Sequence, residues 1–339
     1  MVKLIWEKML DHKFIVLNFS DVFGGQERYV ESIIRKFTMR GLRVLFSGGP
    51  ERFCNEFNKI DFHLDNQEAI LILNGNSALY FFSMKKKRSR FTVYIQHSDI
   101  NDGQGPSWKR WVRKVLLKVF LYRVDLVVRV CDKALPEKYA PGKIVTIYNG
   151  VPLPDIHFIR KSLNHHCRLL MVGTLTKNKN QRMAIEALEL LPQCTLTLVG
   201  DGPERGELER LASQLNVQNR VTFTGFVTDP SQYYQNHDLL LMLSQFEAFP
   251  YVVLEAMAAY CPVVATKVGG VPEAITHSRN GWLLNGSSSQ ELADRVATIC
   301  QDAEHYNDIA IQARKTIESR FTEEEMVELL LAEIEKRLK

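Results

Sequence analysis

Much that would classify a chain quickly is missing from these 339 residues. Cysteine is scarce: six, at 54, 131, 167, 194, 261 and 300, with no C-x-x-C pair. That argues against a disulfide framework in a chain of this size, and the thiols, set among apolar neighbours, read as buried and free. No apolar run approaches the ~18 residues of a membrane span. The opening MVKLIWEKMLDHK lacks the long apolar stretch of a secretory signal, which points to a cytoplasmic protein. No metal-ligand spacing appears, so neither a metal nor a cofactor is expected. The dinucleotide fingerprint is absent too. GDGPERG (200–206) has G-x-G-x-x-x-G spacing, with no acid at the usual distance on a second strand, which sets a nicotinamide cofactor aside.

What is present is a globular composition, 45% apolar and 24% charged, in a length that suits two domains of about 150 residues each. The net charge of +4 divides unevenly. Residues 1–155 carry 25 Lys and Arg against 16 Asp and Glu, whereas residues 156–339 carry 18 against 23. A basic half joined to an acidic half is a statement about partners.

Short apolar runs alternate with helical patterns. FIVLNFS (14–20), LRVLFSG (42–48), AILILN (69–74), FTVYIQ (91–96), DLVVRV (125–130) and KIVTIYN (143–149) read as strands. VPLPD (151–155) then breaks any element and suggests a linker. The alternation restarts with CRLLMVG (167–173), CTLTLVG (194–200), RVTFTGF (220–226), HDLLLML (237–243) and PVVAT (262–266). This predicts an α/β chain of two Rossmann-like, doubly wound domains, 1–155 and 156–319, facing a cleft. The helical segment 320–339 is expected to pack back on the first domain.

Three strand-to-helix turns carry glycine: Gly173-Thr174-Leu175, Gly200-Asp201-Gly202-Pro203 and Gly269-Gly270. Such turns aim backbone N–H groups at one region and suit a diphosphate, though glycine also simply permits a tight turn. Pro203 and Lys179 are placed as openers of the helices that follow. In EAFPYVVLEAM (247–257), Glu247 stands in a loop and Glu255 inside the helix that starts near Tyr251. Carboxylates accept well from adjacent hydroxyls, so two at this spacing fit the sugar and the ribose at either end of a diphosphate. By itself, Glu-x₇-Glu occurs often by chance, and spacing alone favours a capping acid followed by a solvated one.

The run EAFPYVVLEAMAAYCPVVATKVGGVPEAI (247–275) closely resembles the signature of the retaining glycosyltransferases of family 4, which have the GT-B fold. FGGQERYV (23–30), IYNGVP (147–152), VGTLTKNKN (172–180), VGDGPERGELERLA (199–212) and VTFTGFV (221–227) match in the family's order. The resemblance spans nearly the whole chain and is thin over 50–140. It implies transfer of a hexose or N-acetylhexosamine from a nucleotide diphosphate sugar, with retention. The implied acceptor is a lipid-linked or lipopolysaccharide-type saccharide at the inner face of a bacterial membrane. It also implies roles. Glu247 contacts the transferred sugar, beside the backbone of Phe249, Pro250, Tyr251 and Val252. Glu255 holds the ribose, and Lys179 stabilises the leaving diphosphate near Gly173 and Thr174. His97 touches the donor sugar, Gly24 and Gly25 form a loop near phosphate and acceptor, and Gly225, Phe226 and Val227 lie near the base.

Three positions depart from the family pattern: Thr174 stands where Arg is usual, Ala248 where Gly follows the first acid, and Tyr260 where Gly precedes C-P-V-V. Without that Arg, Lys179 carries more of the diphosphate charge, or Arg182 or another base substitutes. Metal-dependent glycosyltransferases commonly hold the donor through Asp-x-Asp; no such pair occurs here, which fits a metal-independent site. Two other readings share these features: a sugar-nucleotide epimerase of the same fold, and a non-catalytic protein that binds sugar nucleotide or a membrane surface.

WKRWVRKVLLKVFLYR (108–123) holds six bases and no acid. Its apolar residues, at 108, 111, 112, 115, 116, 119 and 120, form a helical stripe. Trp108 and Trp111, with Lys109, Arg110, Arg113, Lys114 and Lys118, suit an anionic membrane surface, making the protein peripheral on the inner face of the membrane. A stripe packed on the sheet would leave only a solvated basic face. Nothing resembles a nucleic-acid-binding fold.

Overall fold

The computed structural model describes residues 2–19, 24–48, 68–84, 89–100, 107–163, 166–286 and 288–338. The chain divides into two compact units, Met1–Gly150 with Glu323–Lys339, and Val151–Thr322. Lys85, Lys86, Lys87 and Arg88, a run of four bases in the sequence, lie outside the described residues, as does Cys54.

In the first unit β1 (Lys13–Asn18), β2 (Arg43–Ser47), β3 (Ala69–Asn74), β4 (Phe91–Gln96), β5 (Leu126–Arg129) and β6 (Ile144–Thr146) form one parallel sheet, ordered β2-β1-β3-β4-β5-β6. Every residue of β3 and β4 is buried. Continuous apolar runs rather than alternation are what a parallel sheet covered on both faces requires. Helices α1 (Val2–Met9), α2 (Gly25–Met39), α3 (Gly75–Met84) and α4 (Ser107–Leu121) accompany it.

The chain's last helix, Glu323–Leu338, belongs to this unit. It buries Met326, Val327, Leu330, Leu331 and Ile334. The acids of its first turn meet the bases of α2: Glu323 accepts from Ser32 Oγ at 2.6 Å and from Arg35, and Glu324 pairs with Lys36 and Arg40. The carboxylates that favour a helix N-terminus thus also hold the helix to its neighbour.

The second unit has β7 (Arg168–Val172), β8 (Thr195–Val199), β9 (Val221–Gly225), β10 (Leu239–Met242), β11 (Val263–Thr266) and β12 (Trp282–Leu284), all parallel and ordered β12-β11-β10-β7-β8-β9. Its helices are α5 (Gln181–Leu190), α6 (Arg205–Gln214), α7 (Ser231–Asn236), α8 (Tyr251–Ala258), α9 (Val271–Ala274), α10 (Ser289–Gln301) and α11 (Ala303–Arg320). The VPLPD segment opens this unit as a strap. Val151 bridges Thr322, Lys161 N–H donates to Asn307 Oδ1 at 2.8 Å, and Lys161 Nζ reaches Asp238 at 3.1 Å. Five cysteines, 131, 167, 194, 261 and 300, are buried free thiols.

Two helix starts differ from the sequence reading. Lys179 ends a 3-10 turn, Lys177–Lys179, and Asn180 takes a left-handed φ of 54° before α5 begins at Gln181. Asn tolerates that conformation better than most residues. Pro203 lies in a turn before α6, because Leu175 N–H donates to Asp201 C=O at 3.0 Å and Glu204 N–H donates to Leu175 C=O at 3.2 Å. The two loops are tied together there, and the helix starts at Arg205.

Candidate functional site

Open parallel sheets bind ligands beyond the carboxyl ends of their strands, where the strand order reverses direction. In the second unit that point lies between β7 and β10. Lys179 follows the first of these strands and Glu247 the second. Asn178 fastens the two loops: its C=O accepts from Gln245 N–H at 2.8 Å, its Oδ1 from Phe246 N–H at 3.0 Å, and its Nδ2 donates to Phe246 C=O at 3.1 Å. This brings Lys179 Nζ onto Glu247 Oε1, an ion pair with both side chains mostly buried.

Glycine makes the loops fit. A Cβ on Gly200 would lie 2.1 Å from Gly173 C=O, and Gly200 N–H donates to Gly225 C=O at 2.9 Å, so the ends of β7, β8 and β9 pack backbone on backbone. A Cβ on Gly269 would fall 1.6 Å from Glu247 C=O, at a φ of +49°. Gly270 N–H donates to Ala248 C=O at 2.7 Å, so the β11 turn is the floor on which the Glu247 loop rests.

Glu255 lies inside α8 and is not simply solvated: Tyr234 Oη, from α7, donates to its Oε2 at 2.7 Å. Phe249 and Tyr251 are buried, and Phe249 packs on Phe321 with ring centroids 5.4 Å apart. Their side chains serve the core, so what they offer a ligand is main-chain N–H. Pro250, the residue before α8, has no N–H to offer, which narrows the expected amide cradle to its neighbours. Gly225 has a φ of +75°, and Phe226 beside it is exposed. Thr174 is exposed and offers no charge; Gln181 Nε2 donates to its C=O at 3.2 Å. Arg182 pairs with Glu186 on the exposed side of α5.

The first unit has its own reversal point, between β1 and β3, and a polar cluster sits there. Asn18 and Asn74 close these strands opposite each other in register. Asn74 Nδ2 donates to Asn18 Oδ1 at 2.9 Å and to Gln26 C=O at 3.2 Å. Its Oδ1 must therefore accept, and its partner, at 2.6 Å, is His97 Nε2. His97 carries its proton on Nε2 and keeps Nδ1 as an acceptor. Burial pushes its pKa down to about 3, so the ring is neutral. Tyr29 meets it edge-on at 5.1 Å between ring centroids. Gly24 precedes α2, and its N–H donates to Glu27 Oε2 at 2.9 Å; Gly25 is the first residue of α2.

The structure thus joins Lys179 to Glu247 in one unit and sets His97 near the Gly24–Gly25 helix start in the other. It adds Asn178, Tyr234, Asn18, Asn74 and Glu27, none singled out from the sequence. Two of these left a signal: Asn18 and Asn74 are polar residues closing otherwise apolar strands, where a parallel sheet presents side chains to ligand.

Residues 155–316 match the family model of glycosyl transferases group 1. The N-acetyl-alpha-D-glucosaminyl L-malate synthase of Bacillus anthracis is 36% identical over 227 residues, 62% of this chain and 60% of that protein's length. An uncharacterized glycosyltransferase of Haemophilus influenzae is 28% identical over 337 residues, covering 89% of this chain and 93% of that one. HepE of Anabaena, solved with UDP and glucose, superposes with a TM-score of 0.81 over 96% of this chain and all of its own, at 23% identity. That likeness shows the fold, GT-B.

Proposed function

We propose that the protein, whose residues 155–316 match the family model of glycosyl transferases group 1, transfers a hexose or N-acetylhexosamine from a nucleotide diphosphate sugar to a saccharide acceptor, with retention of configuration. The observation that carries this is the Lys179–Glu247 pair at the β7/β10 reversal point. An incoming diphosphate competes with Glu247 for Lys179. The ammonium then neutralises the charge that develops on the leaving phosphate, and the released carboxylate accepts from sugar hydroxyls. Glu255, already accepting from a tyrosine hydroxyl, accepts equally from ribose hydroxyls. The main-chain N–H groups of Tyr251 and Val252, at the start of α8, face the diphosphate. In the retaining step the leaving oxygen takes the acceptor's proton on the same face of the sugar, through an oxocarbenium-like state, so Glu247 positions rather than attacks. His97, neutral, is a hydrogen-bond acceptor through Nδ1.

The HepE complexes support a uridine nucleotide, and the name of the Bacillus anthracis relative supports an N-acetylhexosamine. The acceptor class we propose is a lipid-linked or polysaccharide-type saccharide. The site as read works without a metal.

The test is thermal stability in EDTA with a panel of nucleotides and sugar nucleotides, followed by product analysis. Ligand at about 100 times its Kd adds ~2.7 kcal/mol to stability. A shift with one base, lost in Glu255→Ala, and a new glycoside with an acceptor saccharide support the reading. An isomerised donor without acceptor marks an epimerase, and no shift with any nucleotide overturns donor binding.

A further inference from the structure

Helix α4 is turned the opposite way from a helix that buries its apolar stripe. Among its residues only Leu117 and Leu121 are buried, with Phe120 half-buried against Tyr80 at 5.4 Å between centroids. The rest of the stripe faces outward. Trp108 is 62% exposed, Trp111 66%, Val119 56% and, one residue past the helix, Tyr122 85%; Val112, Val115 and Leu116 are exposed as well. At 3.6 residues per turn these seven side chains fall within an arc of about 140°, opposite Leu117 and Leu121. Bases border the arc on both sides: Lys109 and Arg113 along one edge, Lys114 and Lys118 along the other, with Arg110 behind; Arg123, past the helix, turns back to donate to Ser83 C=O.

We propose that this face of α4 docks side-on to an anionic phospholipid bilayer, with the tryptophan–valine arc in the headgroup–acyl boundary and the flanking bases on lipid phosphates. The occupant follows from the chemistry of the face. A second copy would bring two clusters of six bases together across a twofold axis, since residues 107–123 contain no acid. A bilayer with anionic lipid offers both an apolar medium for the arc and negative charge on either side of it. No helix among the described residues is long and apolar enough to span a membrane, so the contact is interfacial. The inference rests on α4 alone and goes beyond the transfer reading.

The chain carries its own reporters. Of its four tryptophans, Trp6 and Trp282 are buried and Trp108 and Trp111 are on the arc. Flotation with mixed phosphatidylglycerol–phosphatidylcholine vesicles at low salt is expected to carry the protein up, and its tryptophan emission is expected to shift to the blue. Pure phosphatidylcholine should bind far less. Lys109→Gln with Lys118→Gln should weaken partitioning by roughly fivefold per base removed. Trp111→Ser with Val115→Ser should abolish the blue shift and most binding. All four side chains are exposed, so the variants' melting and their response to nucleotides should match the parent. No flotation with anionic vesicles, flotation without a blue shift, or variants that bind like the parent would each overturn the proposal. Retained nucleotide shifts in that event would leave donor binding standing.

Discussion

Glu247 and Lys179 test the site most directly. Glu247→Gln keeps the shape but removes the charge paired with Lys179. Turnover is expected to fall about 10²–10³-fold, the usual loss when one preorganised polar partner of a developing charge is removed. The nucleotide-induced thermal shift should persist, because Glu255 and the backbone cradle remain. Near-normal turnover would take Glu247 out of the site. His97 makes a second prediction. Its folded pKa, about 3, lies below the unfolded value near 6.5, so the unfolded chain takes up the proton first. The stability it contributes is present above pH ~6.5 and is lost as pH falls toward about 3. Urea unfolding at pH 7 and pH 5 should show a larger loss for the parent than for His97→Gln. An equal loss would mean the ring is protonated in the folded state.

The glycine turns decide whether the elements around the site can assemble. Ala at position 269 would drive a Cβ into Glu247 C=O, 1.6 Å away, at positive φ. Gly269→Ala is expected to cost roughly 2–4 kcal/mol and to displace the Glu247 loop. Gly206, in the first turn of α6, has nothing within 4 Å of an added Cβ. Gly206→Ala should therefore stabilise by about 0.5–1 kcal/mol. Denaturant unfolding of the pair separates a glycine required by close approach from one that is only tolerated. Equal effects would remove close approach as the reason for Gly269. The terminal helix makes a related point. The segment reads as helical in the sequence, but the bases that receive Glu323 and Glu324 lie almost 300 residues earlier, and only folding matches them.

The second unit's integrity depends on a strap. Burial alone would raise the Asp238 pKa, but hydrogen bonds from Arg168, with Lys161 alongside, hold it below the usual carboxylate range. Arg168 N–H and Nε reach Oδ2 at 2.9 and 3.0 Å, and Lys161 Nζ reaches Oδ1 at 3.1 Å. One carboxylate thus ties the strap to the starts of β7 and β10, the two strands that carry Lys179 and Glu247 at their far ends. Because its folded pKa is depressed, its contribution is present above the ordinary carboxylate range and is lost as pH falls through the lowered value. Asp238→Asn should cost about 3 kcal/mol. In a chain of two units a single midpoint is poorly defined, so amide exchange in β7 and β10 is the measurement. Faster exchange there is expected; unchanged protection would show that the strap holds without the carboxylate.

The sequence by itself determined the fold class, eleven of the twelve strands among the described residues and the glycine turns, and missed the short edge strand β12, three residues long. It also showed the two acids flanking the start of α8, because each is recorded locally in apolar runs, breakers and spacing. It showed that 108–123 is an amphipathic basic helix but not which side meets the sheet, since the helix has two apolar faces. One is the outward arc; the other is Leu117 with Leu121, and only the surface of the neighbouring elements selects between them. The Lys179–Glu247 pair, the Tyr234–Glu255 bond and the tautomer of His97 set by Asn74 were beyond reading for the same reason. Each joins residues 21 to 68 positions apart, brought together by parallel pairing and by the packing of successive strand–helix units. Tertiary structure decided them because a parallel sheet gathers the ends of strands far apart in sequence onto one edge, where their polar ends must satisfy one another.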